Sequence, residues 1–346
     1  MDRSHTYELG GRDLAAVLTP PLGVLAIAAL LIHGAAALGW LPPPRPALDM
    51  DRTVLVHQAE AARTPQLART VVIGDSSGLM DVSAVVVSAG LEEPVRNLST
   101  LSYVDLPTHA RLLREYAVTN SGGLREVVLL LHPETLRLRD PSSYHSRQVV
   151  DFLEGRDAAP GPGVGTRLSL WLGGERLRGR CLSRWLPVPL AGEYGRFYGF
   201  TTDLERYLEA HGGSAVDPHT FDRQKAQGTA EYRLARRFEL ESRTFRDRMP
   251  SARLYVGLTP APESFVGADH ATAVDRLRTQ WSAWLEPDGL LTNLPVTMPD
   301  RWFASVTHLN SAGSVEFSGR LAAEVKRARS LSGTAGAPEG GPRSPR

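Results

Sequence analysis

The 346-residue chain is 42% hydrophobic and 22% charged, which leaves enough apolar side chain for a sizeable core and excludes a wholly disordered chain. Lys+Arg (39) almost cancels Asp+Glu (38), a formal net charge of +1, and that balance argues against a chain built to coat nucleic acid. Cys181 is the single cysteine, so an intrachain disulfide framework and a cysteine-cluster metal site are both excluded. The length fits one large domain or two modest ones.

Residues 1–21 read as a short N-terminal cytoplasmic segment. Residues 22–40 (LGVLAIAALLIHGAAALGW) carry no Asp, Glu, Lys or Arg, and His33 is their only ionisable side chain. Nineteen residues at about 1.5 Å each reach roughly 28 Å, close to the hydrocarbon thickness of a bilayer. Pro20 and Pro21 precede the run and Pro42, Pro43 and Pro44 stop it. It exceeds the apolar stretch of a signal peptide, and its leading flank is not basic overall. A cleavage site at Ala36-Ala37-Leu38 and a buried core helix remain alternative readings. The favoured reading is a single-pass anchor in the cytoplasmic membrane, with the N-terminus inside and the bulk of the chain extracytoplasmic.

A linker over 41–67 contains the start of a first helix near 54–62. Thr70-Val71-Val72-Ile73, closed by Gly74, has the β-branched character of a buried parallel strand. A helix over 81–90, a short strand over 95–98 and a helix over 106–118 follow. Residues 126–131 (EVVLLL) and 253–258 (RLYVGL) are further apolar strands. Helical spacing returns over 269–285, with Ala273, Leu277, Trp281 and Trp284 on one side, and over 311–327. Strands alternating with helices predict an α/β domain over 68–328, its parallel sheet covered on both faces in three layers. Residues 136–249 break the rhythm and read as an insertion, either a cap over the site or a surface embellishment. Residues 329–346 are low-complexity and predicted disordered.

The densest chemical signal is Gly74-Asp75-Ser76, where a buried strand gives way to a helix. That turn puts Ser76 at the carboxyl edge of the sheet, where open α/β sheets bind ligands. N–H groups at a helix start are unpaired within the helix and suit an oxyanion. A serine hydroxyl is a weak nucleophile without a base. His308, in a loop before the last helix, supplies the residue type for that base.

The pair, in this order, resembles the SGNH/GDSL hydrolase superfamily, whose nucleophile lies in a Gly-Asp-Ser motif and whose histidine lies near the C-terminus. Gly74, Asp75 and Ser76 match the first block. His308, Leu309, Asn310 and Gly313 are similar to the last block of the membrane-anchored branch, which includes AlgX/AlgJ-like and DltD-like proteins working beside membrane-bound O-acyltransferases. The resemblance covers residues 68–135 and 250–327. It implies a flavodoxin-like sheet and an acyl-serine esterase or O-acyltransferase. Cell-surface polysaccharide would be the acceptor and a membrane-bound O-acyltransferase the partner. Three positions depart from the family. Ser305 stands where an aspartate is usual, so Ser305, or Asp300 from the same loop, would orient the imidazole. The glycine of the second block is missing, and Asn97, Ser99, Thr100 and Ser102 occupy that region. His132-Pro133-Glu134 replaces Gly-x-Asn-Asp. The oxyanion hole would then combine the N–H of Ser76 with Asn97. These departures also motivate an alternative, a catalytically inactive scaffold for a membrane acyltransferase.

His132 and Glu134 read as solvated loop residues rather than site residues. Arg176, Arg178, Arg180 and Arg184 read as a solvated face of the insertion, and Trp171 and Trp185 are its candidates for stacking on sugar rings. The spacing of His211, His219 and His270 indicates no metal site, and no cofactor is expected.

Overall fold

The computed structural model describes residues 10–37, 50–102, 104–121, 123–137, 143–156, 204–215 and 236–334. The arginine cluster 176–184, Trp171, Trp185, Cys181, His219 and the tail from 335 lie outside the described residues. The chain divides into two compact units, Met1–Leu48 with Ala159–Gly192, and Asp49–Ala158 with Glu193–Arg346.

Among the described residues the first unit is one helix, α1 (Gly11–Ala37). At about 1.5 Å per residue its 27 residues reach roughly 40 Å. Its window Gly11–Ala28 has a mean hydropathy of 1.3, so it is long and apolar enough to cross a membrane. The helix starts well before residue 22 and runs through Pro20 and Pro21, which were expected to precede it. Two consecutive prolines remove two helical N–H donors, leaving the carbonyls of Ala16 and Val17 without their usual partners.

The second unit is an α/β domain. In chain order it comprises α2 (Met50–Ala62), β1 (Thr70–Gly74), α3 (Ser76–Asp81), α4 (Ala84–Leu91), β2 (Val95–Asn97), α5 (Leu106–Thr119), β3 (Glu126–Leu131), α6 (Pro133–Arg137) and α7 (Ser143–Leu153). There follow α8 (Leu204–Ala210), α9 (Arg236–Arg248), β4 (Arg253–Leu258), β5 (Ala261–Pro262), α10 (His270–Leu285), β6 (Gly289–Leu290), β7 (Thr297–Met298) and α11 (Ser311–Thr334). Five strands form one sheet in the order β2-β1-β3-β4-β6, every pairing parallel. β5 and β7 pair separately.

Alternation along the strands divides the core between the two faces. Val71, Ile73, Val127, Leu129, Leu131, Leu254 and Val256 join the side packed by α2, α5, α7, α8, α9 and α10. Val72, Val128, Leu130 and Tyr255 join the side packed by α4 and α11. Both faces are covered, so the strands read as continuous apolar runs rather than alternating ones. Each fully buried Leu, Val or Phe adds about 1.5–3 kcal/mol to that core.

Three sequence expectations shift. The helix predicted over 81–90 starts later, at Ala84, because Ser83 caps α4 by accepting from the N–H of Val86 after α3 ends at Asp81. Residues 136–249 are not wholly an appendage. Val149 and Leu153 of α7, Leu208 of α8, and Phe238 and Phe245 of α9 lie in the main core, and Trp281 donates to Ser242 at 3.1 Å. The last helix also continues beyond 327 to Thr334. Its Arg329 pairs with Glu93 and the buried Glu126 at the amino edge of the sheet, opposite the edge where β1 delivers Ser76.

Candidate active site

β1 ends at Gly74 because only glycine fits there: a Cβ would stand 1.7 Å from the Leu130 carbonyl oxygen of β3. Asp75 then caps α3. Its Oδ1 accepts from the N–H groups of Ser77 (2.9 Å) and Gly78 (3.3 Å) and from the Ser77 hydroxyl (2.6 Å). Its Oδ2 accepts from the N–H of His132, just past β3, at 2.8 Å. One buried carboxylate therefore ties together the carboxyl ends of two strands. Thr259, just past β4, extends the tie by donating to Ser77 at 2.8 Å. Ser76 itself is the first residue of α3, so its own N–H has no carbonyl to pair with inside the helix.

The His308 loop is built by the residues that follow it. Leu309 is fully buried and bridges back to Phe303. Its N–H donates to Oδ1 of Asp81, the last residue of α3, at 2.7 Å. Asn310 caps α11 by accepting from the N–H of Gly313 at 3.0 Å, and donates back to the carbonyl of Arg301 at 2.8 Å. Gly313 is required because a Cβ there would sit 2.1 Å from the Trp302 carbonyl oxygen. The His-Leu-Asn-x-x-Gly run is thus a core anchor, a helix cap and a close backbone approach, which together aim the histidine.

The outcome is a contact between residues 232 positions apart: His308 Nε2 lies 3.0 Å from the Ser76 hydroxyl oxygen. A second hydroxyl, that of Ser102, lies 2.8 Å from the same oxygen. Both distances are those of hydrogen bonds, and His308 is buried. No family model, no curated protein and no solved structure matches the chain.

The other predicted site residues fall elsewhere. Asn97 does not face the serine as a free donor. It is fully buried, and its Nδ2 donates to the Gly78 carbonyl (2.9 Å) and the Ser214 hydroxyl (3.2 Å), while its Oδ1 accepts from the Ser99 N–H (2.9 Å). Ser305 uses its hydroxyl to accept from the backbone N–H of His308 at 3.1 Å, so it shapes the loop through the backbone. Asp300 accepts from the N–H of Ser264 at 3.0 Å.

His132 corrects the expectation of a solvated loop. It is 2% exposed, its Nδ1 accepts from the N–H of Glu134 at 3.1 Å, and its pKa is lowered to about 4. Burial is the main cause; the charges of His308 and His270 lower it further, against Asp75 and the Pro260 carbonyl. Burial also lowers the pKa of His109, whose Nε2 lies 2.9 Å from the Thr100 hydroxyl, and that of His270. Burial therefore biases each of these three imidazoles toward its neutral form. Asp81, not singled out in the sequence, is fully buried, and desolvation raises its pKa well above the usual value. Its position at the end of a short helix carried no signal by itself; only the docked His308 loop reveals it. Among the described residues no group of three or more His, Cys, Asp or Glu side chains is arranged to hold a metal ion.

Proposed function

We propose that the chain is a membrane-anchored serine esterase or O-acyltransferase of the SGNH type, acting on cell-surface polysaccharide through an acyl-Ser76 intermediate. The observation that carries this reading is the 3.0 Å contact between His308 Nε2 and the Ser76 hydroxyl at the carboxyl edge of a parallel sheet. His308 takes the proton as Ser76 Oγ attacks an acyl carbonyl carbon. The carbonyl oxygen becomes an oxyanion beside the N–H of Ser76 at the start of α3. Collapse breaks the bond to the leaving alcohol, which takes the proton back from His308. A sugar hydroxyl, or water, then gives its proton to His308 and attacks the acyl-serine ester, and Ser76 recovers its proton as the ester breaks. The strand order β2-β1-β3-β4-β6 supports the reading, since doubly wound sheets of this order place ligands beyond the ends of their strands. The apolar α1 supports single-pass anchoring; the extracytoplasmic placement of the domain is part of the proposal.

The full chain in detergent, given 4-nitrophenyl acetate with and without an oligosaccharide, should release nitrophenol and form acyl-Ser76 detectable by mass spectrometry. Ser76→Ala should abolish both. Absence of Ser76-dependent turnover, with no acyl-serine, would refute the catalytic reading. It would favour an inactive scaffold beside a membrane-bound O-acyltransferase. That second reading draws on Ser305 and Asp300, which engage backbone N–H groups and not the imidazole ring. In cells the two readings separate on whether Ser76→Ala stops polymer acylation.

A further inference from the structure

We propose that the Ser102 hydroxyl is the second oxyanion donor of this site, in the place first assigned to Asn97. The inference rests on the acyl-serine reading above and names a group that touches the reacting atoms.

The loop after β2 runs on beside β1 before it turns. Leu98 donates its N–H to the Val72 carbonyl (2.8 Å) and Thr100 donates to the Gly74 carbonyl (2.9 Å). These bonds carry Ser102 to the carboxyl edge, where its Oγ lies 2.8 Å from that of Ser76. Asn97 is excluded from the role because its amide hydrogens are committed to Gly78 and Ser214. Thr100 turns its hydroxyl to His109. Of the described polar side chains in this loop, Ser102 is the one in contact with the nucleophile.

Hydroxyl chemistry sets the direction of that contact. Ser76 has one proton, and the productive arrangement gives it to His308 Nε2 at 3.0 Å. The 2.8 Å contact must then be Ser102 O–H donating into a lone pair of Ser76 Oγ. Attack on a carbonyl uses electron density on that oxygen and leaves it a poor acceptor. The new negative charge appears on an oxygen bonded to the same carbon as Ser76 Oγ. A hydroxyl re-aims by rotation about its C–O bond alone, so the Ser102 proton follows the charge without movement of the backbone. The bond formed is charge-assisted and roughly twice as strong as the neutral bond it replaces, so it favours the transition state over the ground state. Together with the N–H of Ser76 it forms a two-donor oxyanion hole.

The test uses the full chain in detergent with 4-nitrophenyl acetate and its thionoester, whose sulfur accepts hydrogen bonds weakly. Ser102→Ala should lower kcat on the oxygen ester about 10²-fold, the usual cost of one oxyanion donor, with KM within about threefold. It should also lower the preference for the oxygen ester over the thionoester, a ratio that general damage to the site would leave unchanged. Ser102→Thr, which keeps a hydroxyl, should restore most of both. Turnover of Ser102→Ala within threefold of the parent, or an equal loss on both esters, would overturn the proposal while leaving the acyl-serine reading intact. A parent chain without Ser76-dependent turnover would bring down both.

Discussion

Asparagine in place of His132 changes how the protein responds to mild acid. The folded imidazole is 2% exposed and its pKa is lowered from 6.5 to about 4. A lowered histidine pKa means that the unfolded chain takes up a proton, near pH 6.5, that the folded chain refuses until about pH 4. Its contribution to stability is therefore fully present above the unfolded value and is lost as pH falls through the folded one. Linkage between these two values gives a loss of about 2 kcal/mol by pH 5 and about 3 kcal/mol by pH 4. Asparagine still offers an oxygen to the N–H of Glu134, now held at 3.1 Å, but binds no proton in this range. It also leaves part of the ring volume empty, so the variant starts less stable at pH 8. His109 shifts in the same direction as His132 but is present in both proteins, so it cancels in the difference. Urea unfolding of both proteins, followed by intrinsic fluorescence from pH 8 to pH 4, measures the gap. It should close by about 2 kcal/mol between pH 8 and pH 5. A gap that stays constant would show that His132 titrates in the fold as a solvated imidazole does, and a gap that widens would show that it is protonated in the native state; either result would refute the buried, neutral His132.

Gly74→Ala forces a methyl group to within 1.7 Å of the Leu130 oxygen, so β1 and β3 must separate. Thermal unfolding should report a loss of about 3 kcal/mol or more, and an unchanged melting temperature would refute the close approach. For Asp81, whose pKa is raised by burial, stability is fully present below the usual carboxylate range and is lost as pH rises through the folded value. Asp81→Asn, which keeps an acceptor for Leu309, should gain on the parent as pH rises from 4 to 8 in denaturant titrations; Asp81→Ala should cost about 1–3 kcal/mol by orphaning that N–H. Ser305→Ala removes an acceptor for the His308 N–H and none for its ring. Stability should fall by about 1 kcal/mol while the pH profile of kcat keeps its midpoint, and a displaced midpoint would show that the hydroxyl acts on the imidazole.

Much of the architecture was legible because both faces of the sheet are buried. Residues 70–74, 126–131 and 253–258 must then be apolar without interruption, and a run of that kind stands out against any background. The Gly-Asp-Ser turn was legible for a related reason: each residue answers a local need, glycine for a close strand, aspartate for a helix cap, serine for the first turn. His308 drew notice through Leu309, Asn310 and Gly313, which serve core, cap and backbone approach. What local sequence could not supply was the partner of each polar side chain. Asn97 and Ser102 are equally reasonable donors on paper, and His132 looks like a loop residue beside a proline. Only the packed fold assigns Asn97 to the backbone below α3, brings Ser102 to the nucleophile and buries His132 under two strand ends. Periodicity and turn chemistry act within a few residues and are written in the chain, whereas hydrogen-bond partners across 19 to 232 positions depend on how the layers dock.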